Sequence, residues 1–164
     1  MAFAEVDDLA ALLGETFDAT RAAQAELALD LAATAIRSVA GQTIDYVEDD
    51  EVVLVGVWEA DLGLPQRPVI DVAAVEVDGT VDTDWELVGS ALRRSLGGWG
   101  GPGVSVEVTY THGYETIPEA VRSVCLQAAA RFMINPEASA GTIRLIPDEI
   151  AMLPRQRVAS VPIG

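Results

Sequence analysis

The chain has 164 residues, enough for one ordinary domain, and half of them are apolar, which excludes wholesale disorder. It carries 26 acidic side chains against ten basic ones and a single His, for a formal net charge of −16. All ten basic residues are Arg, so Schiff-base lysine chemistry and the lysine of a P-loop are excluded, and so large an acid excess argues against broad electrostatic capture of nucleic acid.

Asp7 and Asp8 can cap a short helix over 7–13 that Gly14 stops. Asp18 or Thr20 starts a longer helix over 19–40, ended by Gly41. Nine of its 22 positions are Ala, the strongest helix former. Ala28, Leu31, Ala32, Ala35 and Val39 form one apolar stripe at helical spacing, and Leu29, Ala33, Ile36 and Ala40 form a second beside it. Two stripes exceed what one surface helix needs, so the helix is either the centre of a monomeric bundle or packed on its own domain on one side and on a neighbouring copy on the other.

From Thr43 the period changes. The acidic run Glu48, Asp49, Asp50 and Glu51 precedes a strand over Val52–Trp58. Pro65 and Pro68 keep the next stretch extended, and Val69–Val77 leads into Asp78-Gly79, a two-residue hairpin signal with Trp85, Leu87 and Val88 as the returning strand. Gly97–Gly103 reads as a flexible loop. Val104–Tyr110 alternates cleanly and is the clearest strand.

A last helix over 118–134 follows, with Thr116 and Glu119 as a capping box and Val121, Val124, Cys125, Ala128, Ala129, Phe132 and Met133 as its buried stripe. Asn135-Pro136 ends it. Residues 142–164 read as a weakly patterned arm, with one or two helical turns in IPDEIAMLPR and an extended RQRVASVPIG.

The charge is unevenly spread. Residues 1–86 hold 20 acidic side chains and three Arg, a net of −17, whereas residues 87–164 hold six and seven, a net of +1. One reading is a solvated acidic surface; the other is an acidic face that repels a polyanion, opposite a face that docks a partner.

Catalytic motifs are missing. His112 is the only histidine and sits in a turn without a local acid-base partner. There is no G-x-S-x-G elbow, and the glycine run has neither phosphate-cradle nor dinucleotide spacing. Asp78–Glu86 resembles a calcium loop, but position 12 falls on Gly89 or Arg93 rather than Glu. Cys125, the lone cysteine, is expected in the core. No enzyme, cofactor or metal site is expected. The start MAFAEVDD is acidic where a signal peptide is basic, and the run Val52–Trp58 is far shorter than the roughly 20 residues that cross a bilayer, so a soluble intracellular protein is expected.

The order of segments LGLPQRPVIDVAAVEVDG, then VEVTYTHGYETIPEAVRSVCLQAAARFMINP, then a tail with LPRQR, behind an acidic Ala-rich helical pair, resembles the head–tail connector (adaptor) proteins of long-tailed bacteriophages. The likeness spans roughly residues 5–157. The Leu64-Pro65 to Asp78-Gly79 block and the Tyr110-Thr111-His112-Gly113-Tyr114…Ile117-Pro118 turn are its most specific parts. Leu153-Pro154-Arg155-Gln156-Arg157 lacks the Tyr common in the family's tail motif.

The resemblance implies an α+β fold: a small helical bundle with an antiparallel β module inserted at about 44–110, together one connector domain over 1–141, and a C-terminal arm over 142–164. It implies a non-catalytic virion protein, made in the host cytoplasm, whose ring of usually twelve copies sits beneath the portal and extends the DNA channel toward the next neck protein. DNA would pass through without specific binding. On that reading Arg144, Arg155 and Arg157 dock the portal, and Leu27, Leu31, Ile36, Val39, Val124 and Phe132 face sibling chains. Glu48, Asp49, Asp50 and Glu51 then line the lumen or rim. Two other readings stay open: another neck protein such as a stopper or tail-completion protein, and a small soluble enzyme or regulator.

Overall fold

A computed structural model describes residues 2–135 and 142–154. The fold is α+β, and the chain divides into a helical unit, residues 1–41 and 116–164, and a β unit, residues 42–115, interposed between its second and third helices.

The helical unit holds α1 (Val6–Leu13), α2 (Ala19–Ala40), α3 (Glu119–Ile134) and α4 (Pro147–Met152). Asp18 caps α2 by accepting the Arg21 N–H at 2.8 Å, and Gly14 and Gly41 end α1 and α2 in the left-handed conformation. The cap of α1 is Glu5; Asp8 sits three residues inside and accepts the Glu5 N–H at 3.2 Å. The expected Thr116 capping box is absent, because α3 begins directly after Pro118 without a side-chain cap.

α2 packs along α3, α1 packs on both, and α4 packs on α3. The buried α2 positions are mostly Ala (25, 28, 32, 33 and 40) with Leu29 and Ile36. They face a world of similarly small residues on α3, where Val121, Val124, Cys125, Ala128, Ala129 and Ala130 are buried. Small side chains let the two backbones approach closely and bury the stripe without large cavities.

The β unit contains two antiparallel sheets. The larger has strand order β1-β7-β3-β4, from β1 (Val47–Val55), β3 (Val69–Val77), β4 (Thr80–Val81) and β7 (Ser105–His112). The smaller has order β2-β6-β5, from β2 (Asp61–Gly63), β5 (Glu86–Val88) and β6 (Ala91–Arg93). Leu62, Leu64, Val72, Val75, Leu92, Trp99, Val106, Val108 and Tyr110 form its core. The Arg67–Pro68 peptide is cis.

Three expectations change here. The acidic run does not precede the first strand but lies within it, and the strand stops at Val55 rather than Trp58. Asp78-Gly79 makes the expected tight turn, with positive φ at both residues, yet the returning strand is only Thr80-Val81. Leu87 and Val88 belong instead to the second sheet, paired with Leu92 and Ala91.

The glycine run is irregular, as expected, but it is pinned. The Trp99 side chain is fully buried, and its indole N–H donates to the Ala60 carbonyl at 2.8 Å. The Arg94 guanidinium lies 4.7 Å from the Trp99 ring centre and donates to the Gly98 carbonyl at 2.9 Å. Gly56 and Gly98 are required by packing: a Cβ at either would collide with the backbone carbonyl of Trp99 or Trp58.

Candidate interaction surfaces

Each residue singled out from the sequence has a definite place, and several are already occupied inside their own unit. His112 closes β7, is almost wholly buried, and brings its Nε2 within 3.0 Å of an Asp50 carboxylate oxygen; its ring lies 5.0 Å from that of Tyr110. Asp50 therefore has a partner and is not a free surface charge. The pair joins β1 to β7 just beyond a β-bulge, which Asp49 makes with a φ of 49°. Burial pushes the Tyr110 phenol above its usual value. The contact with Asp50 gives His112 a strand-joining role. No group of three His, Cys, Asp or Glu side chains able to hold a metal occurs among the described residues.

Glu48, Asp49 and Glu51 are exposed on β1. They are consecutive with Val52, Val53, Leu54 and Val55 on the outermost strand of the larger sheet, so an acidic half and an apolar half share one edge.

Of the six residues expected to face sibling chains, Ile36 and Val124 are fully buried in the helical unit. They cannot form an intersubunit surface without unfolding it, and that assignment is corrected: both stripes of α2 contribute to its own core. Leu27 and Val39 are exposed, and Leu31 and Phe132 are half-buried. Leu31 and Val39, with Thr34, Ala35 and Ser38, form one wall of a groove of about 420 Å³ whose other wall is Thr142–Leu145. A second groove, of about 440 Å³, runs between α1 and α3 over Leu12, Leu13, Ala130 and Ile134, and Ile134 at its end is 72% exposed.

Arg144 is exposed, but the segment that carries it is not a free arm. Residues 142–154 fold back onto the helical unit through a pair that composition did not reveal. Glu149 is 2% exposed and accepts from both terminal nitrogens of Arg131, at 2.5 and 3.1 Å, and from the Ile146 N–H at 2.8 Å. Arg131 also donates to the Arg144 carbonyl at 2.8 Å. The signal was present in Pro147 and Glu149, a proline in the first turn and a carboxylate at the third position of a short helix. Arg155 and Arg157 lie outside the described residues.

On the opposite side of α3, Arg122 reaches the Asp8 carboxylate at 2.6 Å, and this hydrogen bond holds the Asp8 carboxyl below its ordinary value. Cys125 is buried as expected, its thiol pushed up by burial and pointed at the Leu29 carbonyl at 3.7 Å. No described helix is long and apolar enough to cross a membrane.

Comparison with known proteins finds no matching family model and no matching curated protein. Among solved structures, the chain is similar to one from the neck of an empty GTA (gene transfer agent) particle computed with C6 symmetry. The two share 22% identity at a TM-score of 0.52, over 77% of this chain and 76% of that one. It is also similar to a chain from the neck of a native GTA particle computed with C12 symmetry, with 19% identity and a TM-score of 0.52, over 81% of this chain and 84% of that one. These likenesses establish a shared fold.

Proposed function

We propose that this protein is a structural component of the neck of a phage-like particle, where copies of it form a closed ring between the portal and the next neck or tail component. The observation that carries the reading is the fold: a helical unit interrupted by a β unit, shared over about four-fifths of the chain with chains of GTA particle necks. The specific connector role and a ring of twelve rest in addition on the sequence resemblance.

Ring closure requires two different faces on each copy. The helical unit offers a candidate pair in the α1–α3 groove and the α2 ridge at Leu27, Leu31 and Val39. Phe132 remains available as a half-buried contributor. The exposed carboxylates of Glu48, Asp49 and Glu51 take a lumen or rim position, where like charge keeps DNA from adhering. Among the residues assigned to the portal, Arg144 is the exposed cation on a segment clamped to the helical unit. The role is mechanical and requires no catalytic group.

Light scattering on the full chain, alone and mixed with a portal ring, tests the proposal. A ring-sized species, or assembly that depends on the portal, is expected. A monomer that ignores the portal overturns it.

A further inference from the structure

The larger sheet ends in β1 on one side and in β4 on the other, and among the described residues no strand pairs with the outer edge of either. One rung crosses all four strands: Val53 stands opposite Glu107, Glu107 opposite Glu76, and Glu76 opposite Val81. Its carboxylates lie in the middle, and its two ends are valines, each 66% exposed. Apolar strand edges are templates for strand addition, and soluble proteins rarely leave them uncovered.

The backbone of that rung is open at both ends. In an antiparallel pair, opposed residues alternate between those that exchange hydrogen bonds and those that do not. The Gly56 N–H donates to the Val104 carbonyl at 2.9 Å, three steps along from Val53 and Glu107, so Val53 and Glu107 exchange none. The Val53 N–H and carbonyl therefore point away from β7. The Asp82 N–H donates to the Val75 carbonyl at 2.9 Å, one step along from Val81 and Glu76, so the Val81 N–H and carbonyl likewise point away from β3. Each end of the rung presents one donor and one acceptor. We propose that Val81 of one copy pairs with Val53 of the next, so that β4 adds to β1 and the sheets of neighbouring copies become one. This rests on the ring reading above and gives it a specific joint.

Direction, phase and charge agree with this joint. β1 and β4 run antiparallel within one copy, because each of the three pairings between them is antiparallel. The small rotation between neighbours in a ring leaves strand direction nearly unchanged, so the joint is antiparallel too. Across the four strands the hydrogen-bond alternation returns in phase, and Val53 and Val81 meet as a pair that exchanges both bonds. The register sets Val52–Val55 opposite Asp82, Val81, Thr80 and Gly79. That half of β1 carries no charge, and the one carboxylate facing it, Asp82, is already held by Arg94. The acidic half of β1, with its bulge at Asp49, lies beyond the end of β4 and takes no part. A one-residue slip turns the outward groups of Val81 toward Val52 or Leu54, whose own groups are spent on β7. Two different edges that meet make a heterologous contact, which closes a ring by repetition, whereas β1 on β1 makes only a pair and leaves Val81 bare. The joint is short and fixes the register between copies.

The test uses the full chain with Val53→Cys and Val81→Cys together, assembled on portal rings under reducing conditions and then oxidised; Cys125 is buried, and the single variants control for it. Within one copy the two positions lie three strand spacings apart, about 14 Å, beyond the reach of a disulfide. A ladder of disulfide-linked multimers is expected from the double variant and none from either single one. Rings that form without the ladder, or a dimer from Val53→Cys alone, overturn the proposal while leaving the ring reading intact. Hydrogen exchange gives a second readout. The Val53 amide, free in the single copy, is expected to exchange about tenfold more slowly in the ring, and Val81→Pro to abolish that slowing. The Val81 N–H bonds nothing in its own sheet, so the proline spares the fold, and the Asp82 amide stays bonded to Val75. A Val53 amide that exchanges equally fast in ring and single copy, or slowing that survives Val81→Pro, overturns the joint and not the ring. If light scattering finds no ring at all, the ring reading falls and the joint falls with it.

Discussion

The helical unit and the β unit close their cores by opposite means. α2 and α3 bury mostly alanines, with Leu29, Ile36 and Met133 as the larger side chains, and even the 142–154 segment is held by a defined pair, Arg131 and Glu149. The β unit gathers two small sheets around one tryptophan and secures an irregular glycine run by backbone contacts to it. Among the described residues, β1 is an edge strand of the larger sheet. The lesson is that the helical unit is packed mainly through small side chains, whereas the β unit draws its two sheets onto larger ones such as Trp99, Tyr110 and Leu92.

If that contrast is right, the largest single effect comes from Trp99. Trp99→Ala removes the centre of the β core and one of the two hydrogen bonds that the Ala60 carbonyl accepts, at a cost of about 3–5 kcal/mol. Near-ultraviolet circular dichroism should lose its tryptophan signal while the far-ultraviolet helical signal persists. Simultaneous loss of both would break the distinction between the two units. Next comes Gly98→Ala, whose new Cβ meets the Trp58 carbonyl and forces the loop to shift, for about 1–3 kcal/mol by denaturant titration. An unchanged midpoint would show that the glycine run is looser than its contacts indicate.

In the helical unit, Arg131→Met leaves the buried Glu149 carboxylate without its partner, and a loss of about 1–3 kcal/mol is expected because Arg131 itself is half exposed to water. Hydrogen exchange should quicken in residues 142–153 and stay unchanged in α2. The double change with Glu149→Leu should recover most of the loss, since an apolar pair replaces the ionic one.

The smallest effect is that of the Asp8–Arg122 bond. Asp8 is depressed below its ordinary 3.8 in the folded chain, so its contribution is present above about that pH and fades as pH falls through the lowered value. Asp8→Asn should therefore reduce Tm slightly at pH 7 and flatten the fall in Tm below pH 4. A parallel shift at all pH values would contradict the ionic origin.

Much of the helical unit was legible because local signals agreed with packing: Asp18 at one end of α2, Gly41 at the other, and alanines at helical spacing between. The β unit was less so. Glu86–Val88 has the alternation of a hairpin return, and nothing local distinguishes pairing with β3 from pairing with β6; only the brevity of β4 and the turn at Gly89 decide it. The acidic run was placed ahead of the strand, yet β7 pairs with Asp50 and Glu51, and the His112 Nε2 lies within 3.0 Å of the Asp50 carboxylate. Apolar stripes also overstated the available surface. Periodicity shows that Ile36 and Val124 seek burial but not against which partner, and both find it in their own unit. The exposed apolar residues Leu12 and Ile134 lie at helix ends, where a stripe has too few repeats to be read.

The account stands or falls on whether the protein is a repeated segment of a neck. Cryo-electron microscopy of intact particles that contain it measures this directly. A closed ring of copies at the vertex joining capsid and tail is the predicted result; one copy per particle, or density confined elsewhere in the virion, would contradict it.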